Sequence, residues 1–210
     1  MNMQTTKPRR GRPPKVARDN HDTKAELLRV GLEHLTEFGF ASSGIDTILK
    51  KAGVPKGSFY HYFASKEAYG ESLIAHYDSY FSRKLDMHLL DQQHTPLSRI
   101  ANFVDDAAIG MARHGFKRGC LVGNLGQEVD ALPFSFRAQL TNVFLNWQRK
   151  LEACLVQAKA NGDINPSADC GALAEYFWIS WEGSVSRAKL VQSDKPLMLF
   201  LQYFLQTLPK

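Results

Sequence analysis

The chain has 210 residues, 44% of them hydrophobic, and a formal net charge of +5. That length allows one mid-sized domain, or a small domain joined to a larger one, with enough apolar residues for a core. No run approaches the ~20 apolar residues of a membrane-spanning helix, and no apolar stretch follows the basic N-terminus, so a cytoplasmic protein without a secretory leader is expected. The three cysteines, Cys120, Cys154 and Cys170, form no CxxC pair. This removes a zinc ribbon and a thioredoxin motif, and free thiols in a reducing compartment fit best. The charge is one-sided. Residues 1–66 hold twelve Lys or Arg against six Asp or Glu, and residues 67–210 hold fourteen against fifteen. A basic end on a neutral body points to a polyanion as partner.

Residues 1–20 are polar and proline-bearing, with six cations and no acid between Lys7 and Arg18. They are expected to form a disordered basic arm. In the stretch RRGRPPK (Arg9 to Lys15), glycine and proline keep the backbone thin, and Arg10 and Arg12 flank Gly11. Such a strand fits the narrow minor groove of A·T-rich DNA and resembles an AT-hook. A flexible tail that touches only phosphates is the alternative.

Thr23 and Glu26 make a T-x-x-E capping box, which predicts a helix start. Ala25, Leu28, Leu32 and Leu35 then share one helical face, and Gly39 ends the helix. Ser43 is placed to cap a second helix, with Ile45, Ile48, Leu49 and Ala52 at helical spacing and Gly53 at its C-terminal end. A third, short helix is expected from Pro55 or Lys56 to Tyr62. Phe59 and Phe63 are four apart and are read as buried anchors. Tyr60, His61 and Tyr62 then face outward, with Lys56, Gly57 and Ser58 at the N-terminal end. Three short helices joined by tight turns are the helix-turn-helix plan, and the outward face of the third is read as the surface that touches nucleic acid. Hydroxyls, imidazole and Lys66 can donate to phosphates, and the rings can lie against sugar or a thymine methyl. Ser65 predicts the cap of a long helix to about Leu90. Further helices are expected over 96–114, 119–130, 133–161, 167–190 and 195–208, punctuated by Pro96, Gly115, Pro133, Asn161-Gly162, Pro166 and Pro196. No strand-like alternation of useful length appears. The chain reads as all-α, with a basic arm (1–20), a helix-turn-helix DNA-binding domain (21–66) and a larger helical domain (67–210).

The stretches ELLRVGLEHLTEFGFASSGID, ILKKAGVPKGSFYHYF and ASKEAYGESL resemble the DNA-binding domain of the TetR family of repressors. The resemblance implies a larger domain that binds a small ligand and dimerises through its last two helices. It implies that Tyr60 and Tyr62 contact DNA and that Lys66 contacts phosphate. Ser43 stands where the family often has a capping threonine, and Gly44 departs from the family's usual second threonine, so a phosphate contact there is lost or moved. The continuation, with RGCLVGNLGQEV and WEGSVSRAKL, is similar to the AcuR/NemR-like branch, whose members respond to small electrophiles or unsaturated acids. By matching position, Cys120 is that branch's cysteine and Lys189 its downstream lysine.

Cys120 follows Lys117, Arg118 and Gly119 and opens an expected helix. A helix N-terminus and nearby cations favour thiolate, and Lys189 would add to this if the fold brings it close. A small buried apolar side chain is the alternative. Cys154 and Cys170 are read as packing residues. Trp147 and Trp181, with Phe103, Phe144, Tyr176 and Phe177, are candidate pocket walls, and Arg113, Arg118, Glu182 and Arg187 are candidate polar anchors. A pair across a dimer is the alternative reading of Glu182 and Arg187. Phe200, Leu201, Phe204 and Leu205 form an apolar stripe suited to a helix–helix interface.

The expected function is a homodimeric repressor that binds a palindromic operator in double-stranded DNA and is released by a small-molecule inducer: an unsaturated carbonyl or acid, or an oxidant acting at a cysteine. A repressor with a reversible ligand and no reactive thiol, and an architectural DNA-binding protein without ligand, are the rivals. No G-x-S-x-G, H-E-x-x-H or phosphate-loop motif occurs, so no enzyme, metal or cofactor is expected. Deleting residues 1–18 removes six cations. The salt dependence of DNA binding should become less steep in the truncated chain, measured by titration at several salt concentrations. An identical slope shows that the arm does not touch phosphates.

Overall fold

The computed structural model describes residues 20–210. The basic arm with Arg10 and Arg12 lies outside the described residues. Nine α-helices and one 3-10 turn build the described chain, with no strand among the described residues. Three helices come first: α1 (Asn20–Phe38) and the short α2 (Ile45–Ala52) and α3 (Lys56–Tyr62). The rest is α4 (Lys66–Leu89), α5 (Pro96–Arg113), α6 (Leu121–Gln127), a 3-10 turn (Val129–Ala131), α7 (Phe134–Ala160), α8 (Cys170–Val191) and α9 (Lys195–Thr207). The expected punctuation holds. Ser65 accepts from the Ala68 amide at 3.0 Å to cap α4, and Pro96 opens α5 behind the Thr95 cap.

Local expectations fail at two caps and one face. Helix α1 begins at Asn20, so Thr23 lies inside it rather than at its start. Its buried large apolar residues are Leu27, Val30 and Leu35, while Leu28 and Leu32 are half-buried and Ala25 is exposed. Two overlapping stripes exist in this segment, and packing against α4 selects between them. Ser43 does not cap α2; Gly44 holds that position without a side-chain bond. The Ser43 side chain is buried, 2% exposed, and its hydroxyl donates to the Gly39 carbonyl. Gly53 ends α2 in the left-handed conformation, as expected.

Phe59 and Phe63 are buried and hold α3 from behind. Both rings meet Tyr69 of α4, with centroids 5.2 and 4.8 Å away. The Tyr69 hydroxyl donates to the Leu27 carbonyl of α1. One side chain thus ties α1, α3 and α4 together. Gly31 makes room for it: a Cβ there would lie 2.0 Å from the Tyr69 oxygen.

The larger part is organised by aromatic packing. Phe81 and Trp147 are 4.3 Å apart, Trp147 and Trp178 5.3 Å, and Phe103 and Trp181 5.2 Å. Arg99 is buried with its donors met by the carbonyls of Leu89 and His94 and the amides of Gln92 and Gln157, which is the condition for holding a charge there. Helix α8 packs between α7 and α9. The stripe expected on α9 turns inward. Phe200 and Phe204 are buried and Leu201 and Leu205 half-buried, whereas Leu199 and Tyr203 are exposed. The aromatic side of α8 is the better partner for the two phenylalanines.

Gly31→Ala should destabilise the protein by about 1–3 kcal/mol, because the added methyl must displace the Tyr69 ring. Denaturant titration measures this. The loss should be smaller in a Tyr69→Phe background, where the obstructing oxygen is gone.

Candidate functional site

The outward side of α3 carries the residues expected to meet nucleic acid. Tyr60 is 50% exposed, and His61, Lys56 and Gly57 are exposed. The Lys56 ammonium pairs with Asp46 at 3.1 Å across an open surface, a contact of little energetic weight. No atom lies within 4 Å of where a Gly57 side chain would start, so the surface there is open to close approach. Ser58 and Tyr62 are half-buried, and Tyr62 packs against the core, so this pair is less outward than expected. Lys66 is not free to reach outward as the sequence led us to expect. Its Nζ donates to the Phe40 carbonyl at 3.0 Å and lies 4.5 Å from the centre of the Phe40 ring. Burial pushes its pKa below the ordinary lysine value. Lys66 and Ser43 both serve the turn between α1 and α2.

A cavity of about 490 Å³ lies where α1 meets the larger part. Leu32 and Thr36 of α1 form one wall, Tyr77, Phe81 and Lys84 of α4 a second, and Met111 of α5 a third. Cys120, Trp181 and Val185 complete the floor. Of the candidate walls only Trp181 takes part, with Arg118 among the anchors. Trp147 is core, fully buried, and its Nε1 donates to Asp78 at 2.8 Å. Phe103, Phe144, Phe177, Arg113 and Glu182 do not line the cavity. Tyr176 and Arg187 line a separate hollow between α8 and α9.

Cys120 is the N-cap of α6, and its Sγ accepts from the Gly123 amide at 3.5 Å. The expected thiolate is not favoured. Cys120 is 6% exposed, and burial pushes its pKa up, against weaker pulls from the Gly123 amide and the Tyr77 hydroxyl. Two of the three expected cations are engaged elsewhere. Arg118 pairs with Glu33 at 3.4 Å, and the Lys189 Nζ donates to the Thr36 carbonyl at 3.2 Å. Burial lowers the Lys189 pKa. Cys154 and Cys170 are buried, as packing residues should be.

The contacts missed by reading the sequence sit at the C-terminal end of α1. The Thr36 carbonyl accepts from the Gly119 amide at 3.4 Å, the Asn124 side chain at 3.0 Å and Lys189. Glu128 reaches back and accepts from the amides of Phe40 and Ala41 at 3.1 and 2.8 Å. Gly39, at φ 81, is required twice: the left-handed turn favours glycine, and a Cβ would lie 2.0 Å from a Glu128 oxygen. Partners 88 and 153 residues apart leave no local signature.

The comparisons agree with this architecture. The profile described as "Bacterial regulatory proteins, tetR family" matches residues 27–68. The one described as "Tetracyclin repressor-like, C-terminal domain" matches residues 96–204. This chain belongs to the TetR family of transcriptional regulators. It is 53% identical over 198 residues to the transcriptional regulator AcuR of Cereibacter sphaeroides, covering 94% of this chain and 90% of that one. It is 34% identical over 182 residues to the transcriptional repressor NemR of Escherichia coli, covering 84% and 89%. A solved TetR regulatory protein from Rhodobacter sphaeroides superposes with a TM-score of 0.87 at 52% identity, covering 89% of this chain and 98% of that one. Membership in the family makes this a DNA-binding transcriptional regulator. Among the described residues no helix is long and apolar enough to cross a membrane.

Beside Cys120, Glu182 is desolvated enough to raise its pKa to about 7 from an ordinary 4.5. The folded chain therefore holds a proton there that the unfolded chain has lost. Between pH 4.5 and 7 this makes stability fall as pH rises. Glu182→Gln should remove that slope. Its advantage over the parent, read as the difference in denaturation midpoint, should grow from about pH 4.5 to 7 and level off above.

Proposed function

We propose that this protein is a homodimeric repressor whose grip on a palindromic operator is released by a small molecule in the cavity beneath α1. Residues 21–66 act as the DNA-binding head and residues 67–210 as the ligand-binding and dimerising body. Tyr60, His61, Lys56 and Gly57 meet the major groove, with Ser58 and Tyr62 at the edge of the contact, and two copies of α3 enter successive grooves. Arg10 and Arg12 of the arm add contacts outside the head. The observation that carries this reading is the shared wall. Thr36 lines the cavity and is also the point where α6 and α8 hold the end of α1. A ligand that shifts Gly119 or Lys189 loosens the end of α1, and the head then takes a different angle. A hundredfold loss of operator affinity needs about 2.7 kcal/mol of differential ligand binding. Rearranging three or four of these part-buried hydrogen bonds, at about 0.5–1.5 kcal/mol each, is of that order.

The finer reading is an electrophile that reacts at Cys120. The resting thiol is neutral and buried, so the electrophile must first enter the cavity, and selectivity follows from fit. The same burial also favours a second reading, in which the ligand is reversible and Cys120 only packs against it. Exposed apolar side chains on α8 and α9, among them Ile179, Leu199 and Tyr203, support dimerisation through those helices.

One binding experiment tests these readings. DNA co-purified with the protein identifies the operator, and fluorescence anisotropy measures its affinity. A folded Tyr60→Ala/His61→Ala variant should bind at least about tenfold more weakly; unchanged affinity rules out this face. But-3-en-2-one should lower parental affinity by about the hundredfold above. If Cys120→Ser is still released, the sulfur is not the sensor and the reversible reading stands.

A further inference from the structure

Residues 40–66 carry four lysines, no arginine and a single acid, Asp46. That acid lies in the first turn of α2, and its Oδ1 accepts from the Lys56 ammonium at 3.1 Å. Lys56 is the first residue of α3. Tyr60 follows it by four positions and so shares its side of the helix. The other lysines are placed elsewhere. Lys51 Nζ lies 3.1 Å from His34 Nδ1, Lys66 donates to the Phe40 carbonyl, and Lys50 stands in the last turn of α2, at the opposite end from Asp46. The one carboxylate of the stretch is thus bonded to the one lysine of α3.

Folding does not require this pair. The two side chains are 59% and 78% exposed, and α2 and α3 are anchored by Ile48, Leu49 and Phe59, which are buried. A carboxylate in a first helical turn gains a little from the helix end, but that gain needs no partner on α3. On a surface that meets phosphates, an acid weakens binding to every duplex by its charge. Its place beside Lys56 fits a choice between sequences, which is a difference of affinities that a repulsive group enlarges.

We propose that Asp46 is a positioning residue for operator choice: it holds the Lys56 ammonium for a guanine edge in the major groove and withholds it from phosphates. The inference rests on the reading of α3 as the DNA-facing helix and deepens it. Attraction to phosphates is independent of sequence and grows with each cation that replaces a counterion. Lys56, neutralised by Asp46, adds little to it. At a G·C pair the ammonium donates to guanine O6 or N7. It has three N–H groups, so one remains for Asp46. A wrong base leaves the ammonium without that acceptor, while the carboxylate beside it still repels the phosphates.

The test compares two duplexes by fluorescence anisotropy with the full chain, at several salt concentrations. One is the operator recovered with the protein, and the other is a scrambled duplex of equal length and composition. Asp46→Asn keeps the size of the side chain and removes its charge, and denaturant titration checks that the variant is folded. It should bind the scrambled duplex about tenfold more tightly, with a salt slope steeper by about 2 for the two copies. Its preference for operator over scrambled DNA should fall by about tenfold. Lys56→Ala should lower the same preference by about tenfold, and adding Asp46→Asn to it should lower it no further. An unchanged preference in Asp46→Asn overturns the inference. A loss that is as large on the Lys56→Ala background also overturns it, because Asp46 then acts without Lys56. Weaker binding of the scrambled duplex by Asp46→Asn overturns it as well, because the variant then only distorts the head. Among single base-pair changes in the operator, one G·C pair of each half-site should cost the parent about tenfold and Lys56→Ala nothing; equal costs at every position rule out the guanine contact. If the inference fails while Tyr60→Ala/His61→Ala still weakens operator binding, the DNA-facing reading of α3 stands without it. If that double variant binds as the parent does, the reading fails and the inference fails with it.

Discussion

An α-helix ends with backbone carbonyls that its own chain cannot satisfy. In this protein the end of α1 is completed from a distance, and the rest of the arrangement depends on that. Thr36 receives donors from α6 and α8, and the amides just beyond the turn are taken by Glu128. Each bond is modest in net terms, about 0.5–1.5 kcal/mol. Together they tie the end of α1 to α6, α8 and Glu128. The same helix continues this restraint to α3. Its Leu27 carbonyl holds Tyr69, and Tyr69 supports Phe59 and Phe63. The path from Thr36 to the exposed ring of Tyr60 runs through one helix and one aromatic cluster.

The chemistry of Cys120 follows from its place on that path. A thiolate exposed at a helix end would react with many oxidants and electrophiles. A buried neutral thiol is less reactive, and two cations expected to act on it, Arg118 and Lys189, are committed to Glu33 and to the Thr36 carbonyl. Lys189 is engaged with the Thr36 carbonyl, and it follows Val185 of the cavity floor by four residues on α8.

The helices were legible because their signals are local. Ser65, Pro96, Gly53 and the pair Phe59 and Phe63 act within a few residues of themselves, and the structure keeps each in its expected role. What was misread depends on partners distant in sequence. Two apolar stripes in α1 differ only in which one faces Tyr69 and Leu73, and no local rule selects between them. Ser43 has the composition of a cap, yet the tight turn at Gly39 draws its hydroxyl backward. Lys66 and Lys189 look like free cations until the fold supplies carbonyls for them. The α9 stripe was a correct reading of amphipathicity, and the helix it meets is α8, whose aromatic side takes Phe200 and Phe204. Cys120 and Trp181 could be named from the sequence; Thr36, Asn124, Glu128 and Tyr77 could not, because nothing in their neighbours distinguishes them.

In the proposed repressor, helix α8 is the element through which a ligand in the cavity reaches both copies. One side of it carries Trp181 and Val185 into the cavity floor, and another exposes Ile179 and Leu190. In the proposed dimer that second side is held by the partner, so α8 cannot rotate freely when the floor is pushed. Motion is then directed toward the less constrained neighbours, which are α6 and the end of α1. Two heads moving in opposite senses about a shared pair of α8 helices change their separation by twice the displacement of either. A duplex offers its major grooves at a fixed interval of about 34 Å, so a small change at each head is enough to misplace the second α3 when the first is seated.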